Sequence, residues 1–196
     1  MCGIFGYTSL TGYSAPSSAV HNMGLAIRHR GPDDMGIASG DDWAIGNMRL
    51  SIIDLAGGHQ PFVSDDGKIS VVQNGEIFNY KELAEDLRKA GNPCRTQSDT
   101  EVILRLYELK GIDFISELNG MFAIAIRDER KKVTYLIRDR IGVKPFYFSV
   151  LDRRVVFSSE IKSFLKFPGF QAKLNQIALS HYLSFNYVPT PFTLFD

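Results

Sequence analysis

Between Ser17 and Arg30 the apolar residues Ala19, Val20, Met23, Ala26 and Ile27 recur at the spacing of one helix face, with Pro16 before them and Gly31-Pro32 behind. The spacing predicts a helix. From Gly36 to Asp54 two short apolar runs, around Trp43-Ala44-Ile45 and along Leu50-Ser51-Ile52-Ile53, read as strands, and the turn-rich Ala56-Gly57-Gly58-His59-Gln60-Pro61 follows. Ile69-Ser70-Val71-Val72-Gln73 is a further strand that runs into Asn74-Gly75, the dipeptide of a tight turn, before Glu76-Ile77-Phe78.

Asn79 with Glu82 three residues on forms a capping pattern, and Tyr80, Leu83, Leu87 and Ala90 share a face before Gly91 and Pro93. Ser98-Asp99-Thr100-Glu101 opens a second helix, with Val102, Ile103, Leu106 and Leu109 inward and Gly111 at its end. Met121-Phe122-Ala123-Ile124-Ala125-Ile126 is apolar at every position, so this strand is expected to be covered on both faces. Its partner Val133 to Ile137 returns through the charged turn Asp128-Glu129-Arg130-Lys131. Phe146 to Val150 and Val155 to Phe157 form another hairpin, followed by a short helix from Glu160 to Lys166 and a helix around Ile177 to Leu183. Strands clustered between inserted helices, without regular alternation, indicate a layered α+β fold.

Composition narrows the function classes. Lys and Arg number 22 and so do Asp and Glu, which leaves no basic field for nucleic acid or an anionic membrane. No stretch approaches the roughly 18 apolar residues of a membrane span, and the N-terminus lacks the pattern of an export signal. The two cysteines, Cys2 and Cys94, build no disulfide framework and no zinc-site spacing. A cytoplasmic protein without a metal is expected.

Candidate chemistry starts at Cys2, because a thiol beside the initiator methionine becomes N-terminal once Met1 is removed, and its own α-amine, titrating at about 7.7 to 8.0, can act as base. Position alone favours the alternative, an ordinary buried cysteine near the start of a strand. Asn74 and Gly75 supply a side-chain amide and a close-approach backbone N–H, the parts of an oxyanion site, but they equally make a type I′ turn. Asp99 complements the dipole of its helix, and Arg49 reads as a surface charge. Singly, each residue has a structural explanation.

Their combination does not. Met1-Cys2-Gly3-Ile4-Phe5-Gly6, Arg28-His29-Arg30-Gly31-Pro32-Asp33, Arg49-Leu50-Ser51-Ile52-Ile53-Asp54 and Asn74-Gly75-Glu76-Ile77-Phe78-Asn79-Tyr80 occur in order. Ser98-Asp99-Thr100-Glu101, Gly120-Met121-Phe122-Ala123, Arg138-Asp139-Arg140-Ile141-Gly142-Val143-Lys144-Pro145-Phe146-Tyr147 and Ser158-Ser159-Glu160-Ile161-Lys162 follow. This series resembles the glutaminase half of glutamine-hydrolysing asparagine synthetases, which are class II glutamine amidotransferases. The likeness covers about residues 2–165. Residues 166–196, including Leu183-Ser184-Phe185-Asn186-Tyr187-Val188-Pro189, resemble the linker and start of that family's synthetase domain, particularly in paralogues associated with surface polysaccharide genes.

The resemblance implies an N-terminal nucleophile hydrolase fold, a four-layer αββα sandwich of two antiparallel sheets between helices. It implies that Cys2 attacks the side-chain amide of glutamine, that Asn74 and Gly75 hold the oxyanion, that Arg49 pairs with the α-carboxylate, and that Glu76 and Asp99 receive the α-ammonium. His29 and Arg30 are expected to be structural or channel-facing, since the implied mechanism does not require them, and Cys94 has no role. The implied partners are glutamine and a C-terminal synthetase domain that accepts ammonia, and a homodimer is compatible with it. Phe78 stands where the family commonly has Tyr, and no Ser-Gly-Gly-x-Asp-Ser loop occurs before Asp196. ATP and magnesium are therefore expected only for the synthetase domain. Two alternatives are a glutaminase feeding another acceptor, such as a sugar or peptide carboxylate, and a degenerate fold acting as an interaction module.

Overall fold

The computed structural model describes residues 2–51, 54 and 57–195. Its first half contains β1 (Gly3–Ser9), α1 (Ser17–Ala26), β2 (Asp34–Ser39), β3 (Trp43–Arg49), β4 (Phe62–Val63), β5 (Ile69–Ile77) and α2 (Tyr80–Lys89). The second contains α3 (Asp99–Lys110), β6 (Gly120–Asp128), β7 (Val133–Arg138), β8 (Tyr147–Leu151), β9 (Arg154–Ser158) and α4 (Gln176–Phe185). Short 3₁₀ segments lie at Arg28–Arg30, Gly111–Glu117 and Ile161–Lys166.

Among the described residues the strands form two sheets, ordered β2-β3-β1-β9-β8 and β4-β5-β6-β7, with every pairing antiparallel. Alternation along each strand sends one set of side chains between the sheets and the other toward helices. Ile4, Ile45, Val72, Ala123, Ala125 and Phe157 fill the space between the sheets. Phe5 and Tyr7, on the opposite face of β1, pack with Val20 and Met23 of α1 and with Phe164. Val71 and Ile77 of β5 and Ile124 of β6 meet Leu87 of α2 and Ile103 and Leu106 of α3. The order is helix, sheet, sheet, helix, the four-layer sandwich that the resemblance implies. β6 is covered on both faces as expected, its inner alanines letting the sheets close while its outer isoleucines meet the helices. Burying one side chain such as Ile124 or Phe5, each 0% exposed, stabilises the fold by about 1.5–3 kcal/mol.

Several local expectations are overturned. Asn74-Gly75 makes no turn: Asn74 lies opposite Ala123 and Gly75 opposite Phe122, and β5 continues to Ile77. Gly75 has φ 151°, and a Cβ there would stand 2.0 Å from the Met121 carbonyl oxygen, so β6 approaches where only a glycine fits. The expected strand along Leu50-Ser51-Ile52-Ile53 does not start, since β3 ends at Arg49 and Leu50 and Ser51 are irregular; Ile52 and Ile53 lie outside the described residues. The helix from Ser17 ends at Ala26 rather than Arg30, β2 and the two-residue β4 are additional, and Leu109 is 49% exposed rather than inward.

Neither capping box closes. The Asn79 side chain donates to the Glu117 carbonyl and accepts from the Asn119 N–H, which ties α2 to the start of β6. Ser98 caps α3 by accepting from Thr100 N, but Glu101 reaches the backbone N–H groups of Arg95 and Thr96 at 2.9 and 2.7 Å.

Candidate active site

Cys2 immediately precedes β1, which lies between β3 and β9 in the middle of its sheet. Pairing of Gly3 with Met48 and of Phe5 with Ser158 holds the residue from both sides. The Leu50 N–H donates to Cys2 Sγ at 3.4 Å, and the thiol faces the Leu50 carbonyl at 3.6 Å. Arg30 Nε donates to the Cys2 carbonyl at 2.9 Å, and Arg30 Nη1 and His29 Nε2 meet the same Glu160 oxygen at 3.1 and 2.8 Å. Glu160 is partly buried, which alone would raise its pKa, but bonds from Lys162, Arg30 and His29 outweigh that effect and hold it below the usual glutamate range. A charged brace thus fixes the backbone of the thiol residue. The structural alternative for Arg30 and His29 therefore holds, although the sequence gave no sign of this link, since Glu160 lies 130 positions beyond Arg30.

β5 brings Asn74, Gly75 and Glu76 to the same place from the second sheet, and the end of β3 brings Arg49. The Asn74 side chain is 1% exposed, and neither its Nδ2 nor its Oδ1 has a hydrogen-bond partner. A buried amide left with both ends unbonded costs about 1–3 kcal/mol, so this one is poised for something that enters. Arg49 is buried and donates from Nη2 to the Asp54 carbonyl at 2.6 Å.

Asp99 comes from the first turn of α3, but its carboxylate points back at the sheet rather than serving the helix dipole alone. Its Oδ2 accepts from Gln73 Nε2 and from the Ile77 N–H, both at 3.0 Å. Burial raises its pKa above the usual aspartate range, against those two bonds and with Glu76 adding repulsion.

All six residues singled out from the sequence, Cys2, Arg49, Asn74, Gly75, Glu76 and Asp99, line one cavity of about 150 Å³. That is below the roughly 300–1,000 Å³ of sites for drug-sized ligands and matches a small metabolite. Its wall carries cations at Arg49 and Lys144 and anions at Glu76 and Asp99, together with the Cys2 thiol and the unbonded Asn74 amide. Such a wall complements a small zwitterion that carries a further polar group. Gln60, Gln73, Thr100 and Lys144 also line it and were not singled out. Gln73 had a legible signal, a polar residue closing the apolar run Ile69 to Val72, and Lys144 sits inside a motif already quoted.

The sequence pattern of a glutamine amidotransferase domain matches residues 1–196. The chain belongs to that family. As an amidotransferase domain it is 42% identical over 178 residues to asparagine synthetase [glutamine-hydrolyzing] 2 of Bacillus subtilis, covering 89% of this chain and 24% of that protein. It is 38% identical over 216 residues to a putative asparagine synthetase [glutamine-hydrolyzing] 2 of Methanocaldococcus jannaschii, covering 100% of this chain and 41% of the relative. The domain therefore spans only a quarter to two fifths of these curated relatives. Among solved structures, glutamine phosphoribosylpyrophosphate amidotransferase from Bacillus subtilis superposes with a TM-score of 0.71 at 21% identity, over 89% of this chain and 45% of that one. The likeness identifies the fold as that of the N-terminal nucleophile hydrolase amidotransferases.

In this amidotransferase domain burial holds the second thiol in its protonated form. Cys94 is half-buried, and burial, with the Glu101 charge nearby, pushes its pKa up to about 11, so little thiolate forms near neutrality. Among the described residues no helix is long and apolar enough to cross a membrane.

Proposed function

We propose that this domain hydrolyses glutamine to glutamate and ammonia through a thioester on Cys2. The observation that carries the reading is the buried, unbonded Asn74 amide in the same small cavity as the Cys2 thiol. With Met1 removed, the α-amine of Cys2 takes the thiol proton and sulfur attacks the side-chain carbonyl carbon of glutamine. Asn74 Nδ2 and the Gly75 N–H hold the oxyanion, and collapse breaks the C–N bond as the α-ammonium returns its proton to departing ammonia. Water, deprotonated by the same amine, then opens the thioester to glutamate. Arg49 binds the α-carboxylate, for which a guanidinium fork is suited. Glu76 and Asp99 receive the α-ammonium.

Asn74→Ala is expected to lower kcat for ammonia release about 10²–10³-fold, the usual loss on removing one oxyanion donor, with KM for glutamine little changed. A coupled glutamate assay on purified protein checks this, and unchanged kcat removes Asn74 from the oxyanion site. Asp99→Asn distinguishes ammonium binding from helix stabilisation. Loss of a charge-assisted bond of about 1.5–3 kcal/mol predicts a roughly ten- to hundredfold fall in kcat/KM. Alkylation of Cys2 by iodoacetamide should proceed as before. A purely helical role would instead cost about 0.3–1 kcal/mol of stability and leave kcat/KM intact.

The names of the relatives support one acceptor. We propose that ammonia passes to a synthetase domain that uses ATP and magnesium to activate aspartate, residues 166–196 being the lead into it and residues 2–165 the glutaminase. A cytoplasmic location agrees with two free thiols. The 196-residue chain is expected to make glutamate from glutamine but no asparagine from aspartate, ATP and glutamine. Chromatographic detection of asparagine in that mixture would refute the division of labour.

A further inference from the structure

Four buried side chains of the cavity wall are joined in one hydrogen-bonded chain. Gln60, Gln73, Thr100 and Asp99 are 7%, 1%, 1% and 6% exposed. Their bonding has only one consistent direction. The Gln73 backbone N–H donates to a Gln60 side-chain oxygen at 2.7 Å, which fixes that amide with its Nε2 toward Thr100 Oγ1 at 3.2 Å. A hydroxyl has one proton, so Thr100, already accepting from Gln60, gives its own to Gln73 Oε1 at 3.1 Å. The other end of the Gln73 amide is then necessarily the donor, and it meets Asp99 Oδ2 at 3.0 Å. The backbone of β5 therefore sets the polarity of the whole relay, and the relay ends on a carboxylate.

We infer that Gln73 is a positioning residue for substrate recognition: through the relay from Gln60 and Thr100, its amide orients the Asp99 carboxylate toward the ammonium end of the substrate. The inference deepens the function proposed above and rests on it. Chained donors polarise one another in a low-dielectric interior, and a donor bond to a carboxylate favours its ionised form against the burial that opposes it. The second bond to Oδ2, from the Ile77 N–H, pins the same oxygen, so the two donors together fix the rotation of the carboxylate. Gln73 and Asn74 are consecutive on β5. One strand thus supplies the group that addresses the reacting amide and, at the next residue, the group that sets the recognition of the other end of the molecule.

The test uses the whole chain and two substrates, glutamine and glutaramate, which is glutamine without its α-amine. Gln73→Met keeps the size and removes the amide. The expected result is a fall of about tenfold in kcat/KM for glutamine, carried mainly by KM, with glutaramate turnover and iodoacetamide alkylation of Cys2 unchanged. In an Asp99→Asn background the same substitution should have no further effect on glutamine, because the carboxylate through which Gln73 acts is gone. Equal losses for both substrates, or a full tenfold loss persisting beside Asp99→Asn, would overturn the inference while leaving glutamine hydrolysis standing. Failure of the unmodified protein to release ammonia from glutamine would instead remove the underlying function. If Gln73→Met does not fold, Thr100→Val takes its place. Without the hydroxyl donor the Gln73 amide loses its fixed orientation, and the ratio of glutamine to glutaramate turnover should fall in the same direction by a smaller factor; an unchanged ratio refutes the relay.

Discussion

Cys2→Ala reduces ammonia release from glutamine to background, a loss of about 10⁶-fold, the order seen when the nucleophile of an acyl-transfer site is removed. The fold should survive, because the Cys2 side chain belongs to no core cluster and its recorded contacts are with the Leu50 backbone. The companion experiment leaves Cys2 in place and blocks its amine. Protein shown by mass spectrometry to retain Met1, or to carry any residue ahead of Cys2, has an amide where the base should be and should be equally inactive. With a free amine, kcat/KM should rise with pH, reach half its limit at about 7.7–8.0 and level off above about 9, as that one group loses its proton. Full turnover by protein that retains Met1 would falsify the assignment of base and nucleophile to one residue.

Gly75→Ala damages fold and site together. An added Cβ would lie 2.0 Å from the Met121 carbonyl oxygen and 2.7 Å from Phe122 Cα, with φ at 151°. Neither neighbour is a flexible side chain, so β5 and β6 must separate. Strain and overpacking together cost about 2–6 kcal/mol. Displacing the Gly75 N–H also weakens the oxyanion site, by about 10²–10³-fold for the donor and up to about 10²-fold more if nearby groups shift by 1 Å. Thermal denaturation and kcat should both register the change. A protein with unaltered melting temperature and kcat would show that β6 does not approach Gly75 this closely.

The same glycine shows where a sequence misleads. Asn74-Gly75 carries every local mark of a turn, yet the dipeptide sits within a nine-residue strand, because the glycine is required by a neighbour 46 positions away, and no short window reports that. β2 escaped notice for a related reason. Asp34-Met35-Gly36-Ile37-Ala38-Ser39 has no apolar run and becomes a strand by pairing with β3. α2 was legible from its amphipathic spacing, α3 from Ser98-Asp99-Thr100-Glu101 at its start and Gly111 at its end, and β6 from an unbroken apolar run. Among site residues, Cys2, Arg49, Asn74, Gly75, Glu76 and Asp99 were found through their joint order and do line one cavity. Gln73 and Thr100 stood in runs already quoted but were passed over, since their bonding depends on partners distant in sequence. Arg30 was read only as structural or channel-facing, and its partner, the Cys2 carbonyl, became visible in the fold.

The placement of β1 between β3 and β9 gives the site a history in time. The Ile4 N–H is bonded to Ser159 Oγ, 155 positions later in the chain, and β1 gains its second neighbour only with Arg154–Ser158. At synthesis rates of about 5–20 residues per second, some 8 to 30 s separate the emergence of the thiol from that of the strand that locks it in register. Until then β1 has only its β3 neighbour, and the Ile4 N–H lacks its Ser159 partner. Nascent chains stalled before Arg154 should therefore carry an accessible Cys2 that reacts with thiol reagents and hydrolyses nothing.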